Sequence, residues 1–182
     1  LDGKSMYLLD SRGANAAPLV EMDIESGSQR VIAHDPQYDV GDVTIHPDTY
    51  EVQMVSFVKA RLEHRVLDQT IAEDIEKIQE LSPGDFGIYN RTDDDQVWLV
   101  GFTEDERPFS YYAYDRKEKT GTFLFFNRPD LAEYSLATMK PISFKARDGL
   151  TVHGYLHVPK GSSGKGLPTV LNVHGGPWHR DT

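Results

Sequence analysis

The sequence predicts a mainly β chain in two parts, and three observations carry that prediction. Short strand-like runs separated by turn residues fill residues 1–130. One stretch of helical spacing, near 71–81, interrupts them. From residue 131 the pattern changes to a hairpin, a Gly/Ser-rich loop and a continuous apolar run. Runs of apolar and β-branched residues bounded by Gly, Pro, Asn and Asp read as strands.

In order, strands are expected at Met6–Asp10, Leu19–Ile24 and Gln29–Ala33, with turns at Gly13 and Gly27. A second set covers Asp42–His46, Glu51–Val58 and Glu63–Asp68. A third covers Phe86–Arg91, Val97–Thr103, Phe109–Asp115 and Thr122–Asn127. In that set Val97, Leu99 and Gly101 alternate with Trp98, Val100 and Phe102. Both alternating sets are apolar, the mark of a strand covered on both faces. A few short antiparallel strands, a break, then the same again is the rhythm of a β-propeller. A β-sandwich fits the same rhythm, so the pattern alone leaves both open.

The interrupting helix has start and stop signals. Thr70-Ile71-Ala72-Glu73 has the form of a capping box, with Thr70 and Glu73 each bonding the other's amide. Ile71, Ile75 and Ile78 recur at helical spacing and predict a packing face. Asp74 and Glu76 suit the positive N-terminal end of the helix dipole, and Pro83-Gly84 ends the pattern. Asp93-Asp94-Asp95 lacks the spacing and glycine of a calcium loop and reads as a solvated hairpin turn.

After residue 130, Ile142–Arg147 and Leu150–Val158 read as a hairpin around Asp148-Gly149, a favoured pair for a type I′ turn. Pro159–Gly166 is a loop, and Pro168–His174 is expected to be a strand buried on both faces.

Composition removes several function classes. The net charge of −10 argues against nucleic acid as a partner, because a phosphate-binding surface needs excess Lys and Arg. With no cysteine there is neither a disulfide framework nor a thiolate metal site. No apolar run approaches the roughly 20 residues that span a bilayer. The first residues carry no secretory signal, and a cytoplasmic location is the working expectation.

The strongest chemical signal is the apolar run leading into His174-Gly175-Gly176-Pro177. Acyl transfer builds negative charge on a carbonyl oxygen, and backbone N–H groups aimed at that point stabilise it. Glycine lets the backbone come close. In α/β-hydrolases one such donor comes from an HGGG-type loop after an early central strand. His174 as the catalytic base would break the Ser, Asp, His chain order of that fold. No G-x-S-x-G occurs anywhere in the chain, and Gly161-Ser162-Ser163-Gly164 has the wrong spacing.

Weaker constellations fall away. Gly164-Lys165 lacks the first glycine of a phosphate loop and a following Ser or Thr. His153 and His157 on one strand face would lie about 13 Å apart, too far for one metal. His174 and His179 flank a loop without an evident third ligand, so no metal and no cofactor is expected.

Arg147-Asp148-Gly149-Leu150, Gly154-Tyr155-Leu156, Pro159 and Leu171-Asn172-Val173-His174-Gly175-Gly176-Pro177-Trp178 strongly resemble the entry into the catalytic domain of the prolyl oligopeptidase family. They look most like its acylaminoacyl peptidase and dipeptidyl aminopeptidase branch. Leu81-Ser82-Pro83-Gly84-Asp85 and Arg107–Arg116 resemble the closing blade of that family's propeller, and Arg128-Pro129-Asp130-Leu131 the segment leaving it. The resemblance implies the last blades of a β-propeller over 1–130, then a linker and the first strands of an α/β-hydrolase domain over 131–182. It implies a serine peptidase acting on short peptides. Gly176 would supply the oxyanion-hole N–H, Gly175 the turn, and His174 would shape the loop. The Ser, Asp and His of the triad would lie outside these residues, leaving the chain itself inactive and prone to self-association through cut strand edges. The rivals are a carboxylesterase or lipase, which also uses a His-Gly-Gly loop, and a non-catalytic β-rich binding module.

Overall fold

The computed structural model describes residues 3–176. Two compact units divide the chain: residues 1–103 with 109–127, and residues 104–108 with 128–182.

The first unit is three consecutive antiparallel meanders. Strands β1 (Ser5–Leu9), β2 (Leu19–Asp23) and β3 (Gln29–Ala33) form the first sheet. β4 (Val43–Ile45), β5 (Val52–Val58) and β6 (Leu62–Val66) form the second. β7 (Asp85–Arg91), β8 (Val97–Thr103), β9 (Ser110–Asp115) and β10 (Thr120–Phe126) form the third. Every expected strand of this region is present, its ends moved by no more than two residues.

The second sheet shows why its middle strand reads as nearly unbroken apolar sequence. Successive side chains of a strand point to opposite faces. Val55 and Phe57 of β5 join Leu19, Ala33 and Val40 in one core. Met54, one step out of phase, joins Phe86, Trp98, Val100, Phe102 and Tyr114 in the other. The sheet is therefore covered on both sides. In the third sheet, Tyr89 stands at a register shift between Ile88 and Asn90. A side chain on Gly101 would come within 2.4 Å of the Phe109 ring and 2.7 Å of the Tyr89 ring, so that position has to be glycine.

Helix α1 (Ala72–Gln79) follows a 3₁₀ turn at Gln69–Ile71. Ile71, Ile75 and Ile78 are buried in the core it shares with the third sheet, as their spacing predicts. The expected capping box does not form. Asp68 caps the start instead, accepting from the Thr70 amide at 2.9 Å and the Thr70 hydroxyl at 2.7 Å. The entry is a 3₁₀ turn, which puts the first free amide one turn earlier and hands it to a carboxylate. Hydrogen bonds from Gln53 and Thr70 hold the Asp68 carboxyl below the usual range.

Two acidic residues behave differently from their expectation. Asp74 is not a surface dipole residue: it lies on the isoleucine face and is fully buried. It accepts from the Tyr114 hydroxyl at 3.0 Å, Arg116 Nε at 3.1 Å and Lys119 Nζ at 2.5 Å. Asp95 is likewise buried rather than solvated. It accepts from Trp98 Nε1 at 2.7 Å, Arg116 Nη1 at 2.6 Å and Arg91 Nη1 at 3.3 Å. The Arg91 and Arg116 guanidiniums lie 4.3 and 4.6 Å from the Trp98 ring centre. The turn brings Asp95 inward at φ 54°, within reach of these donors. Asp93 and Asp94 stay exposed, as expected.

The second unit holds a 3₁₀ turn at Pro129–Glu133 and a hairpin of β11 (Met139–Lys145) and β12 (Thr151–His157). The hairpin turn is not the expected two-residue type I′. Gly149 N donates to Ala146 O at 3.0 Å and Ala146 N to Leu150 O at 2.8 Å, leaving Arg147-Asp148-Gly149 as a three-residue loop. Type I′ needs positive φ at both central residues, and here Gly149 alone has it, at 88°. The strand expected at Pro168–His174 is also absent. Val170 is 90% exposed and Leu171 85%. A strand buried on both faces needs partner strands and covering layers, and the described residues supply it with neither.

Replacing Asp74 by Ala leaves the buried Tyr114 hydroxyl without its acceptor and takes one of two carboxylate partners from Arg116, which keeps Asp95, and from Lys119, which keeps Glu73. The expected loss in urea-monitored stability is about 3 kcal/mol. Asp68→Ala should cost about 1–2 kcal/mol through the cap and Gln53, whereas Glu73→Ala should stay within about 0.5 kcal/mol. Equal losses at positions 68 and 73 would restore the capping box.

Candidate functional site

The predicted oxyanion loop lies at the edge of the described residues. His174, Gly175 and Gly176 are exposed. The His174 Nδ1–H donates to the Gly175 carbonyl at 2.8 Å, which turns the imidazole onto its own loop. Among the described residues, no heavy atom stands within 4 Å of where a side chain on Gly175 would begin. Gly176 has φ 130°, a conformation that side-chain-bearing residues rarely adopt. That backbone conformation suits glycine. Pro177, Trp178 and His179 lie outside the described residues, and so does any pairing of His179 with His174.

Upstream of the loop, the second unit has its own polar fastening. Glu106 accepts from Thr138 Oγ1 at 2.5 Å and Lys160 Nζ at 2.7 Å, and Asp105 accepts from the Met139 amide at 3.1 Å. Lys160 and Thr138 hold the Glu106 carboxyl below its usual range. These bonds fix the start of β11 and the base of the Pro159–Gly166 loop. Ser162 bonds the Pro159 carbonyl through its hydroxyl at 2.8 Å, so this segment is a closed turn and not a nucleophile elbow. Register places His153 opposite Ser143 and His157 opposite Met139, on one face of β12. No group of three or more metal-ligating side chains occurs among the described residues.

The first unit carries features that sequence reasoning missed. A groove of about 550 Å³ runs between β4 and β7, lined by Asp42, Asp48, Tyr89 and Asp93 among others. Burial raises the Tyr89 hydroxyl above its ordinary range, helped by Tyr111 and Asp42. The Asp74–Asp95 network is the second. Burial lowers Arg91 from its usual value against the pull of Asp95, while burial and then Asp74 raise Tyr114. One signal was available: Arg91, Asp95 and Trp98 stand four and three residues apart across a tight turn. No helix among the described residues is long and apolar enough to cross a membrane.

No family model matches the chain. Over its whole length it is 40% identical to dipeptidyl aminopeptidase BIII of Pseudoxanthomonas mexicana, covering 27% of that protein. Over 85% of its length it is 30% identical to dipeptidyl peptidase family member 6 of Caenorhabditis elegans, covering 21% of that protein. The chain thus spans about a quarter of the length of these relatives. Its fold is similar to a structure from an analysis of two prolyl endopeptidases, with TM-score 0.56 at 14% identity, over 88% of this chain and 24% of that one. The antiparallel meanders are accordingly similar to the propeller domain of such enzymes, and the sequence is related to those of dipeptidyl aminopeptidases and dipeptidyl peptidases.

Proposed function

We propose that this chain is part of a serine peptidase that hydrolyses short peptides through an acyl-enzyme, to which it contributes the oxyanion loop His174-Gly175-Gly176. The observation that carries the reading is the 40% identity, over the whole of this chain and 27% of the relative, to a dipeptidyl aminopeptidase, joined to a His-Gly-Gly-Pro loop where an α/β-hydrolase needs its first oxyanion donor. Residues 1–130 are the later part of the propeller, and residues 131–182 the linker and start of the catalytic domain.

In this mechanism a serine attacks the peptide carbonyl while a histidine, oriented by an aspartate, takes its proton. The carbonyl oxygen becomes an oxyanion, and the Gly176 N–H donates to it. Gly175 lets the backbone turn toward the substrate, and His174 shapes the loop through its bond to the Gly175 carbonyl. On this reading the nucleophile lies outside these 182 residues, which contain no G-x-S-x-G. The propeller restricts access to short peptides. An esterase reading shares the loop but leaves the three meanders unexplained.

In the longer protein that carries the nucleophile, Gly176→Pro removes the donated N–H. Proline also holds φ near about −65° where Gly176 stands at 130°, so kcat should fall by at least about 10²-fold. A kcat that survives the substitution removes Gly176 from the oxyanion site.

The 182-residue chain alone should turn over no dipeptidyl or acylated-peptide substrate. It should also self-associate, because Val170, Leu171 and Val173 are 72–90% exposed. Turnover abolished by a serine-directed inhibitor would place a nucleophile within the chain. Sedimentation as a monomer at all concentrations would overturn the association.

A further inference from the structure

The second and third sheets meet through a histidine. His64 of β6 stands opposite Ser56 of β5, and its ring centre lies 4.4 Å from that of Phe86 on β7. His64 Nε2 is 2.9 Å from the Phe86 carbonyl oxygen. A carbonyl only accepts, so the bond assigns the proton to Nε2 and leaves Nδ1 as a bare lone pair. That Nδ1 is buried and has no hydrogen-bond partner among the described residues. Close by, the Leu62 amide donates to Asp85 Oδ2 at 3.3 Å, and Arg61 Nε lies 3.4 Å from Asp85 Oδ1. Of the groups at this joint, His64 is the one whose ordinary titration falls between pH 5 and 8.

We propose that His64 makes the β6–β7 joint acid-labile, holding the two sheets together while its ring is neutral and loosening them when Nδ1 takes a proton. Protonation creates a second donor, at Nδ1, with no acceptor, and puts a charge in a buried site, where Phe86 beside it is 4% exposed. The charged groups facing His64 are Asp85 on β7, with its partner Arg61, and Asp42 ahead of β4. Burial holds His64 below its usual value and outweighs the bond to the Phe86 carbonyl and the two carboxylates, all of which favour the imidazolium.

The sign follows from that direction. The unfolded chain takes up the proton first, near the free-imidazole value of about 6.5. The stabilisation is complete above that pH and is lost as pH falls from it toward the lower folded value. The loss is local, so Leu62–Val66 and the start of β7 open before the remainder of the core.

NMR titration of the His64 ring in the 182-residue chain, with amide exchange of residues 62–66 and 85–88, tests the proposal. The His64 midpoint should fall below that of free histidine. Protection of the two segments, corrected for intrinsic exchange, should drop about tenfold between about pH 7.5 and pH 5. His64→Gln retains an amide donor for the Phe86 carbonyl and cannot take the proton, so its protection should not follow pH. A His64 midpoint at or above the free value overturns the proposal, as does an equal acid loss in wild type and His64→Gln. Should that variant not fold, the wild-type midpoint and the site of acid-induced exchange decide alone.

Discussion

Two guanidiniums lie over the Trp98 ring, and the packing of helix and third sheet depends on how those charges are held. Arg91 and Arg116 stack near its ring while Asp95 binds both of them and the indole N–H. Asp74 reaches into the same cluster from helix α1, binding Arg116, Lys119 and Tyr114. Burying ions costs several kcal/mol each unless the partners are well placed. Two carboxylates against three cations, bridged by directed hydrogen bonds, meet that condition except at Arg91 Nη2, which is buried without a partner among the described residues. The network imposes geometry rather than adding much net stability. The helix can dock only with Asp74 facing Arg116, and the β7–β8 turn must carry Asp95 inward.

That requirement propagates to the second sheet. Arg91 also donates to Gln53 of β5 at 2.8 Å, and Gln53 donates in turn to Asp68, which caps the entry to α1. A single polar path therefore runs from the third sheet through the middle strand of the second to the start of the helix joining them. Apolar packing follows the same route, since Met54 shares its core with the helix isoleucines and Trp98. Polar and apolar constraints agree on one arrangement, which is the condition for a unique fold.

What could be read from residues alone divides along physical lines. The strands of the first unit were legible because their burial pattern comes from nearby strands in sequence: β5 meets β4 and β6 within a short span. The isoleucine stripe was legible for the same reason. Asp74 was not, although it lies in that stripe at Ile71 plus three, because its donors come from Tyr114, Arg116 and Lys119, some forty positions later. Asp95 was hidden by the habit of reading acidic turns as solvated. The hairpin at 139–157 was legible in position but not in turn type, since Asp-Gly serves a two-residue turn and a three-residue loop alike.

The His174–Gly176 loop poses the opposite problem. Its residue types announce a chemistry, whereas catalysis needs the donor held within roughly 0.5 Å of its target by packed neighbours. Its recorded side-chain bond is internal, from His174 to Gly175, and the apolar run before it is exposed. Val170, Leu171 and Val173 have the composition of a buried strand without the layers that bury one. Under the proposed assignment those layers are what the rest of a catalytic domain supplies. The same packing that would bury Leu171 and Val173 would then fix the direction of the Gly176 N–H. Preorganisation of the oxyanion donor is thus a property of the strand's environment, and glycines at 175 and 176 supply only the permission for the backbone to turn.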